Sequence, residues 1–281
     1  MSKNGYICVF DCETIPDVAL LERVMSEEDV ASCKNGDEID KKALSELAFT
    51  RQTEASGSSF LPVCFHEVVA ISAVMSDSFG RFRSVNTIEG TNEEEIIRKF
   101  IRFIEAHNPR LVSFNGRGFD LPMIMARALK YNISAPSYFC VNDRENGKDK
   151  WTNYRSRYDG VFHLDLLDHI GDFGAVRGLK LDTLCASVGL PGKYDVHGDQ
   201  VLELYYAGER DKIDEYCESD VLNTYWLFLK YELLRGNLTI EDYADYISLM
   251  SEYLNTNKAQ MSYTPVFCEY IKNELEKVKK Q

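Results

Sequence analysis

The chain has 281 residues, 45 of them acidic and 32 basic, and a formal net charge of -13. Its 44% hydrophobic content supplies a core for one large domain or two ordinary ones and excludes wholesale disorder. The acidity excludes a protein that coats DNA through a basic face, but not a nucleic-acid enzyme with a local basic groove.

No apolar run reaches the ~18 residues of a membrane span, and residues 6–10 are too short for a signal-peptide core. The expectation is a cytoplasmic protein. The eight Cys are scattered, none in a C-x-x-C pair, and the five His are dispersed. Zinc-finger and thioredoxin readings have no support, and the Cys read as reduced, partly buried hydrophobes.

Residues 6–10 (Tyr-Ile-Cys-Val-Phe) read as a buried strand ending at Asp11. Residues 26–60 are rich in Glu, Asp, Lys, Ser and Gly. They read as an insertion with one or two short helices and a mobile Ser/Gly segment at 55–59. Residues 68–75 form a strand, Gly80 a turn and residues 81–87 the hairpin partner. Helical periodicity over 93–106 places Ile96, Ile97, Phe100, Ile101 and Ile104 on one side, and Thr91-Asn92 caps its start. Residues 111–114 are a short buried strand and 119–131 an amphipathic helix. Residues 143–160 are polar and irregular, and 161–164 are a last strand. From Gly178 onward the chain is mainly helical, at 179–188, 200–207, 210–234, 240–254 and 265–279. The fold expected is α/β, a mixed sheet with helices on its faces, over residues 1–235. An insertion occupies 14–65, and a helical extension follows at 236–281.

Three motifs carry chemistry. Asp11-Cys12-Glu13 follows the first strand. Residues i and i+2 of an extended chain share a side, so two carboxylates project together. Paired bare charges repel, and a hard divalent ion is their natural partner. Asp143 to Glu145 repeats D-x-E, but in a hydrophilic stretch. The second motif, Asn115-Gly116-Arg117-Gly118-Phe119-Asp120, joins a buried strand to a helix. Its Asp120 is either a ligand or a plain helix-start acid. The third is Tyr216-Cys217-Glu218-Ser219-Asp220. Positions i and i+4 share a helical face, so a phenol and a carboxylate stand side by side. Of the 16 Tyr, only Tyr216 has an Asp four residues later.

The ordered set (D-x-E on a first strand, N-x(4)-D at a strand-to-helix junction, Y-x(3)-D on a late helix) resembles the DEDD-superfamily 3′–5′ exonucleases, Tyr-containing branch. The segment SFNGRGFDLPMI is similar to the second exonuclease motif of family-B DNA polymerase proofreading domains. HLDLLDH, LDTLCASVGLPGK and YCESDVLNTYWLF are similar to a stand-alone bacterial family of predicted 3′–5′ exonucleases related to that domain. The resemblance covers about residues 6–234; the 14–65 insertion departs from it. The chain is too short to hold a polymerase as well, so proofreading would be supplied in trans.

The resemblance implies a ribonuclease-H-like fold and a two-metal mechanism with Mg²⁺ or Mn²⁺. Asp11, Glu13, Asp120 and Asp220 would be the ligands, with Asp11 bridging both ions. One cation would activate water and the other would stabilise the departing 3′ oxygen. Tyr216 would orient the water, because a phenol with pKa about 10 is a poor base at neutral pH. The products would be nucleoside 5′-monophosphates, and the partner a single-stranded or frayed DNA 3′ end. An RNA 3′-trimming activity is the nearest rival. A noncatalytic nucleic-acid-binding module and an endonuclease of the same broad fold are the others. All four acids and the Tyr are present, and carboxylates clustered without metal would only cost stability.

Asn115 and Phe119 are candidates to contact the substrate end, with helix packing the other reading of Phe119. Asp165 is an auxiliary residue or a strand-end carboxylate that pairs locally. His163 and His169 read as structural. Lys180 and Lys193 are phosphate contacts or solvated surface lysines. Residues 144–157 hold five basic and two acidic side chains interleaved with Trp151 and Tyr154. Basic groups such as Arg155 that follow phosphates, with aromatics that stack bases, describe a strand-binding loop. An ordinary polar loop with packing aromatics is the alternative.

The charge is uneven. Residues 11–60 hold 12 acids and 5 bases, and residues 199–250 hold 12 and 4, whereas 61–198 hold 17 of each. The acidity thus argues only against tight nonspecific coating, and for weak, salt-sensitive capture of substrate.

Overall fold

A computed structural model describes residues 5–192 and 198–280. In chain order it contains β1 (Tyr6–Pro16), α1 (Val18–Val24), α2 (Glu27–Ser32), β2 (Lys34–Asn35), β3 (Glu38–Ile39), α3 (Lys41–Ser56), β4 (His66–Asp77), β5 (Phe82–Thr87), α4 (Glu93–His107), β6 (Arg110–Ser113), α5 (Asp120–Lys130), α6 (Pro136–Phe139), β7 (His163–Asp165), α7 (Leu166–Ile170), α8 (Leu181–Ser187), α9 (Val201–Tyr206), α10 (Arg210–Leu234), α11 (Ile240–Asn257) and α12 (Tyr263–Val278). No described helix is long and apolar enough to cross a membrane.

The main sheet has five strands in the order β5-β4-β1-β6-β7. β4 runs antiparallel to β1 and β5, and β6 runs parallel to β1 and β7. This is the mixed, helix-flanked sheet of the ribonuclease-H-like expectation. Alternation along β1 separates two cores. Ile7 and Val9 join the layer formed with α10, α11 and α12. Cys8 and Phe10 join the layer formed with α4 and α5.

Two features differ from the sequence reading. The first strand does not end at Asp11. It continues to Pro16, with Pro16 opposite His66, so the inserted segment begins at Asp17 and is the connection of a long hairpin. An acid at a buried strand's edge looks like a terminus, but Asp11 and Glu13 are ladder residues whose side chains have somewhere to go. The insertion is also more structured than expected. Besides α2 it holds the β2–β3 hairpin and the 16-residue α3. Asp40 accepts from Ala43 N at 3.0 Å to start α3, and Gly57, left-handed at φ 77°, ends it. The helix buries only a narrow face, Leu44, Ser45 and Ala48, which is why its periodicity is faint.

Residues 236–280 are not set apart. Trp226 Nε1 donates to Tyr243 Oη at 2.8 Å, and Tyr243 donates to Glu274 at 2.9 Å. Tyr263, Phe267 and Ile271 lie in the same core as Val9 and Val74.

The inserted segment is fixed by buried charge. Arg127 of α5 reaches Glu93 through Nε at 2.6 Å and ion-pairs with Asp17, the N-cap of α1. Glu93 also accepts from Val68 N at 2.7 Å and Tyr131 Oη at 2.6 Å. Removing the guanidinium leaves buried Glu93 without its cation and Asp17 with Lys130 alone, at 3.0 Å. Arg127→Leu is therefore predicted to cost about 3–5 kcal/mol. Urea unfolding of the two proteins measures this; a loss below about 1 kcal/mol, the range of exposed pairs, would contradict the assignment.

Candidate active site

The site forms where β1 meets α10. Every residue from Tyr216 to Leu229 is buried, so α10 is enclosed on all sides by sheet and helices. Glu218 and Asn223 within this stretch are each satisfied individually. Glu218 accepts from Thr87 N at 3.1 Å, Lys258 Nζ at 2.8 Å and Tyr263 Oη at 2.6 Å. Asn223 exchanges hydrogen bonds with Gly192, accepting at 3.0 Å and donating at 3.1 Å. These contacts fix the helix's rotation, and with it the direction of Asp220.

Asp11, Glu13 and Asp220 come together. One carboxylate oxygen from each lies within 4.8 Å of the others. Three hard, anionic oxygens at this spacing match the ligand set of Mg²⁺ or Mn²⁺. Next to them the ladder is irregular: β4 carries one extra residue, Val69, opposite the Glu13–Thr14 step. The freed Val69 carbonyl accepts from the Arg210 guanidinium. Such bulges redirect side chains beside sites.

Asp120 lines the same cavity, outside that group of three. It is only 4% exposed. Burial pushes its carboxyl up to about 7; the backbone N–H of Asp120 and the Cys12 thiol oppose this, and Asp165 adds to it. Tyr216 hydrogen-bonds Asp220. Burial, then the charges of Asp220, Glu13 and Asp11, raise its phenol far above the usual value. Tyr216 is therefore a neutral hydroxyl that holds its proton, suited to positioning.

The junction at Asn115–Asp120 is set by Asp165. Its carboxylate accepts from Asn115 N at 2.9 Å, Arg117 N at 2.8 Å and Leu167 N at 3.0 Å. This supports Asn115 in the left-handed region, φ 71°. A side chain at Gly116 would sit 2.6 Å from Ser113 Cβ, so only glycine fits there. Arg117 then donates to the carbonyls of Arg155 and Ser156, tying the 143–160 loop to the junction. Asp165 is thus a local partner, but of backbone amides rather than of a cation. His163 is structural: it bonds Ser113 Oγ at 2.8 Å and takes an Arg117 contact at 3.2 Å.

The cavity, about 690 Å³, contains Asp11, Glu13, Asp120, Tyr216, Asp220, Asn115, Phe119 and Lys180 among its lining. Trp151, Tyr154 and Arg155 do not line it. Tyr154 is 0% exposed and donates to Pro109 O at 2.7 Å, so its ring has no face for a base. Its place in the strand-binding loop is corrected: it anchors that loop to the core. Trp151, in contrast, is 72% exposed. Lys193 lies outside the described residues.

Sequence reasoning missed one whole wall of the cavity. Phe49, Ser59, Phe60 and Leu61 come from the insertion, and His66 from the start of β4. The only linear signal was an apolar group, Phe60-Leu61, closing the Ser/Gly stretch.

Residues 58–271 match a family of predicted 3′–5′ exonucleases related to the exonuclease domain of PolB. The chain belongs to this family. The matched segment includes Asp120, Tyr216 and Asp220 but not Asp11 and Glu13; the fold brings those two to Asp220. The chain is also similar to a DNA polymerase of Archaeoglobus fulgidus, 24% identical over 48% of this chain and 17% of that protein. It is 31% identical to the catalytic polypeptide of DNA polymerase epsilon from Aspergillus fumigatus over 50% of this chain and 6% of that one. The family B DNA polymerase of Pyrobaculum calidifontis aligns with a TM-score of 0.47 and 17% identity, over 89% of this chain and 29% of its own. The chain thus matches less than a fifth of the first two relatives' length.

Removing the carboxylate of Asp165 leaves two amides at the junction without an acceptor. Asp165→Ala is predicted to speed hydrogen exchange at Asn115 and Arg117 and to cost about 1–3 kcal/mol. Unchanged protection of both amides would show that the turn holds itself.

Proposed function

We propose that this family member is a metal-dependent 3′–5′ exonuclease that removes nucleoside 5′-monophosphates from single-stranded or frayed DNA ends. The observation that carries the proposal is the meeting of Asp11, Glu13 and Asp220 within 4.8 Å, at the base of a cavity shared with Asp120 and Tyr216. These carboxylates come from a strand and a helix some 200 residues apart in the chain. Bringing like charges together has a cost that a cation removes.

Asp11, Glu13 and Asp220 would hold one divalent cation, and Asp120 with Asp11 a second. Bound cations would activate water and stabilise charge on the leaving 3′ oxygen. The protein's own groups do the rest. Tyr216 stays protonated, so it would orient the attacking oxygen by hydrogen bonding rather than by taking a proton from it. Asn115, Phe119 and Lys180 face the same space and would hold the strand end. Lys180 would neutralise phosphate charge, giving the salt sensitivity of a phosphate contact.

The test uses 5′-labelled single-stranded DNA, duplex DNA and RNA with Mg²⁺, Mn²⁺ or EDTA. The wild-type protein should give a ladder shortening from the 3′ end, abolished by EDTA. Asp11→Ala should fall below about 1% of the wild-type rate, as loss of several kcal/mol of charge stabilisation requires. An equal ladder from the Asp11→Ala protein would sink the site assignment. A preference for the RNA ladder would move the proposal to RNA 3′ trimming, and binding without any ladder would move it to a noncatalytic module.

Trp151 offers a stacking surface outside the cavity for more distant bases. Trp151→Ala should weaken single-strand binding about 5- to 100-fold, the range of one stacking contact, with little change in melting temperature. A variant that unfolds instead would mark Trp151 as a packing residue.

A further inference from the structure

The inserted segment contributes a feature that the acidic site does not explain. Phe60 is 57% exposed, yet it is not isolated on an open surface. Its ring stands at the cavity, 4.9 Å from the Phe119 ring and 5.2 Å from the His66 ring. His66 and Phe119 meet edge to face at 4.8 Å. Three rings from three parts of the chain thus form one cluster, in the offset and edge-on geometries aromatic groups prefer.

The cluster is held in register with the acids. His66 is bonded through both ring nitrogens, to Thr14 Oγ1 at 2.9 Å and to Leu61 O at 3.0 Å. The carbonyl can only accept, so Nε2 carries the proton and Nδ1 accepts from the Thr14 hydroxyl. Both nitrogens are in use, and burial holds the pKa of His66 below its usual value. The ring is therefore a fixed neutral support packed against Phe60 and Phe119 rather than an acid or base. Thr14 follows Glu13 in β1, and Phe119 precedes Asp120. The ring cluster therefore adjoins a carboxylate residue on each of these two segments. Pro16, Phe49 and Leu61 add apolar surface to this wall, beside the hydroxyl residue Ser59.

We infer that Phe60, delivered by the insertion, completes an aromatic platform on which the 3′-terminal base of the strand stacks, whichever base it is. The inference rests on the exonuclease reading for what enters the cavity. It adds a role for the insertion: binding the last base by its face and leaving the sugar and phosphate over the acids. Rings and aliphatic groups supply no hydrogen-bond code, so capture is indifferent to sequence. It requires an unpaired end, because a base stacked and paired in a duplex has no free face.

The test uses a single-stranded oligonucleotide ending in 2-aminopurine, whose fluorescence falls on stacking. It is bound to Asp11→Ala protein with Mg²⁺ so that cutting does not intervene. Quenching is expected with Phe60, loss of quenching with Phe60→Ala, and recovery with Phe60→Tyr. Phe60→Ala should also weaken binding about 5- to 100-fold. An oligonucleotide ending in an abasic residue should bind the parent protein more weakly by a similar factor and be indifferent to Phe60→Ala. Equal weakening on base-ended and abasic strands would assign Phe60 to structure and overturn the platform. Unchanged quenching, or no binding of either strand, would also overturn it. Cleavage by the wild-type protein is scored apart: a ladder without these signatures removes the platform alone, and the signatures without a ladder remove only the enzyme reading.

Discussion

Three mutually repelling carboxylates are held within 4.8 Å of one another, and most of the fold serves that constraint. Two stand on β1, the central strand, whose position is set by β4 on one side and β6 on the other. The third rides on α10, whose residues from Tyr216 to Leu229 are all buried. Neither element can turn or slide without breaking a core, so the repulsion is resisted by packing. Glu218, between Tyr216 and Asp220 on α10, takes bonds from β5, from Lys258 and from Tyr263. A buried acid that holds no metal thereby fixes the helix that carries one which does in the proposed mechanism. The C-terminal helices take part in this support, since Lys258 caps α11 and Tyr263 begins α12.

The other end of the site is organised by amide chemistry. Asp165 gathers three backbone N–H groups and so sets the left-handed turn at Asn115 and the start of α5 at Asp120. Arg117 extends the same arrangement outward to residues 155 and 156. A surface loop and a buried carboxylate thus share one anchor. The insertion is secured on a third side by Arg127 between Asp17 and Glu93. Its role is then no longer that of a decoration: it supplies the apolar wall that faces the acids.

The uneven charge has a physical counterpart. The two acidic stretches contain Asp11, Glu13 and Asp220, whose charge bound cations would offset, while much of the remainder faces solvent. Binding of a polyanion to such a chain depends on local features. In the proposed reading, Lys180 at the cavity, the basic loop around Trp151 and the exposed ring of Phe60 would be those features.

Much of this was legible in one dimension. Period-two and period-3.6 patterns located the strands of the main sheet and all the long helices but α3, because long amphipathic or wholly apolar segments must be buried in one way only. D-x-E, N-x(4)-D and Y-x(3)-D named the acids and Tyr216, because i,i+2 on a strand and i,i+4 on a helix fix which side chains are neighbours. Local spacing says nothing about what lies across a cavity. That Phe60 and His66 would join Phe119, that Tyr154 would turn inward to Pro109 while Trp151 stayed out, and that Asp165 would bind amides rather than a cation were decided by tertiary packing alone. The sequence by itself determined which residues could do chemistry together along each element. The folded chain decided which elements meet, because that depends on the register of β1 against β4 and the rotation of α10, both set by contacts between residues far apart in the chain.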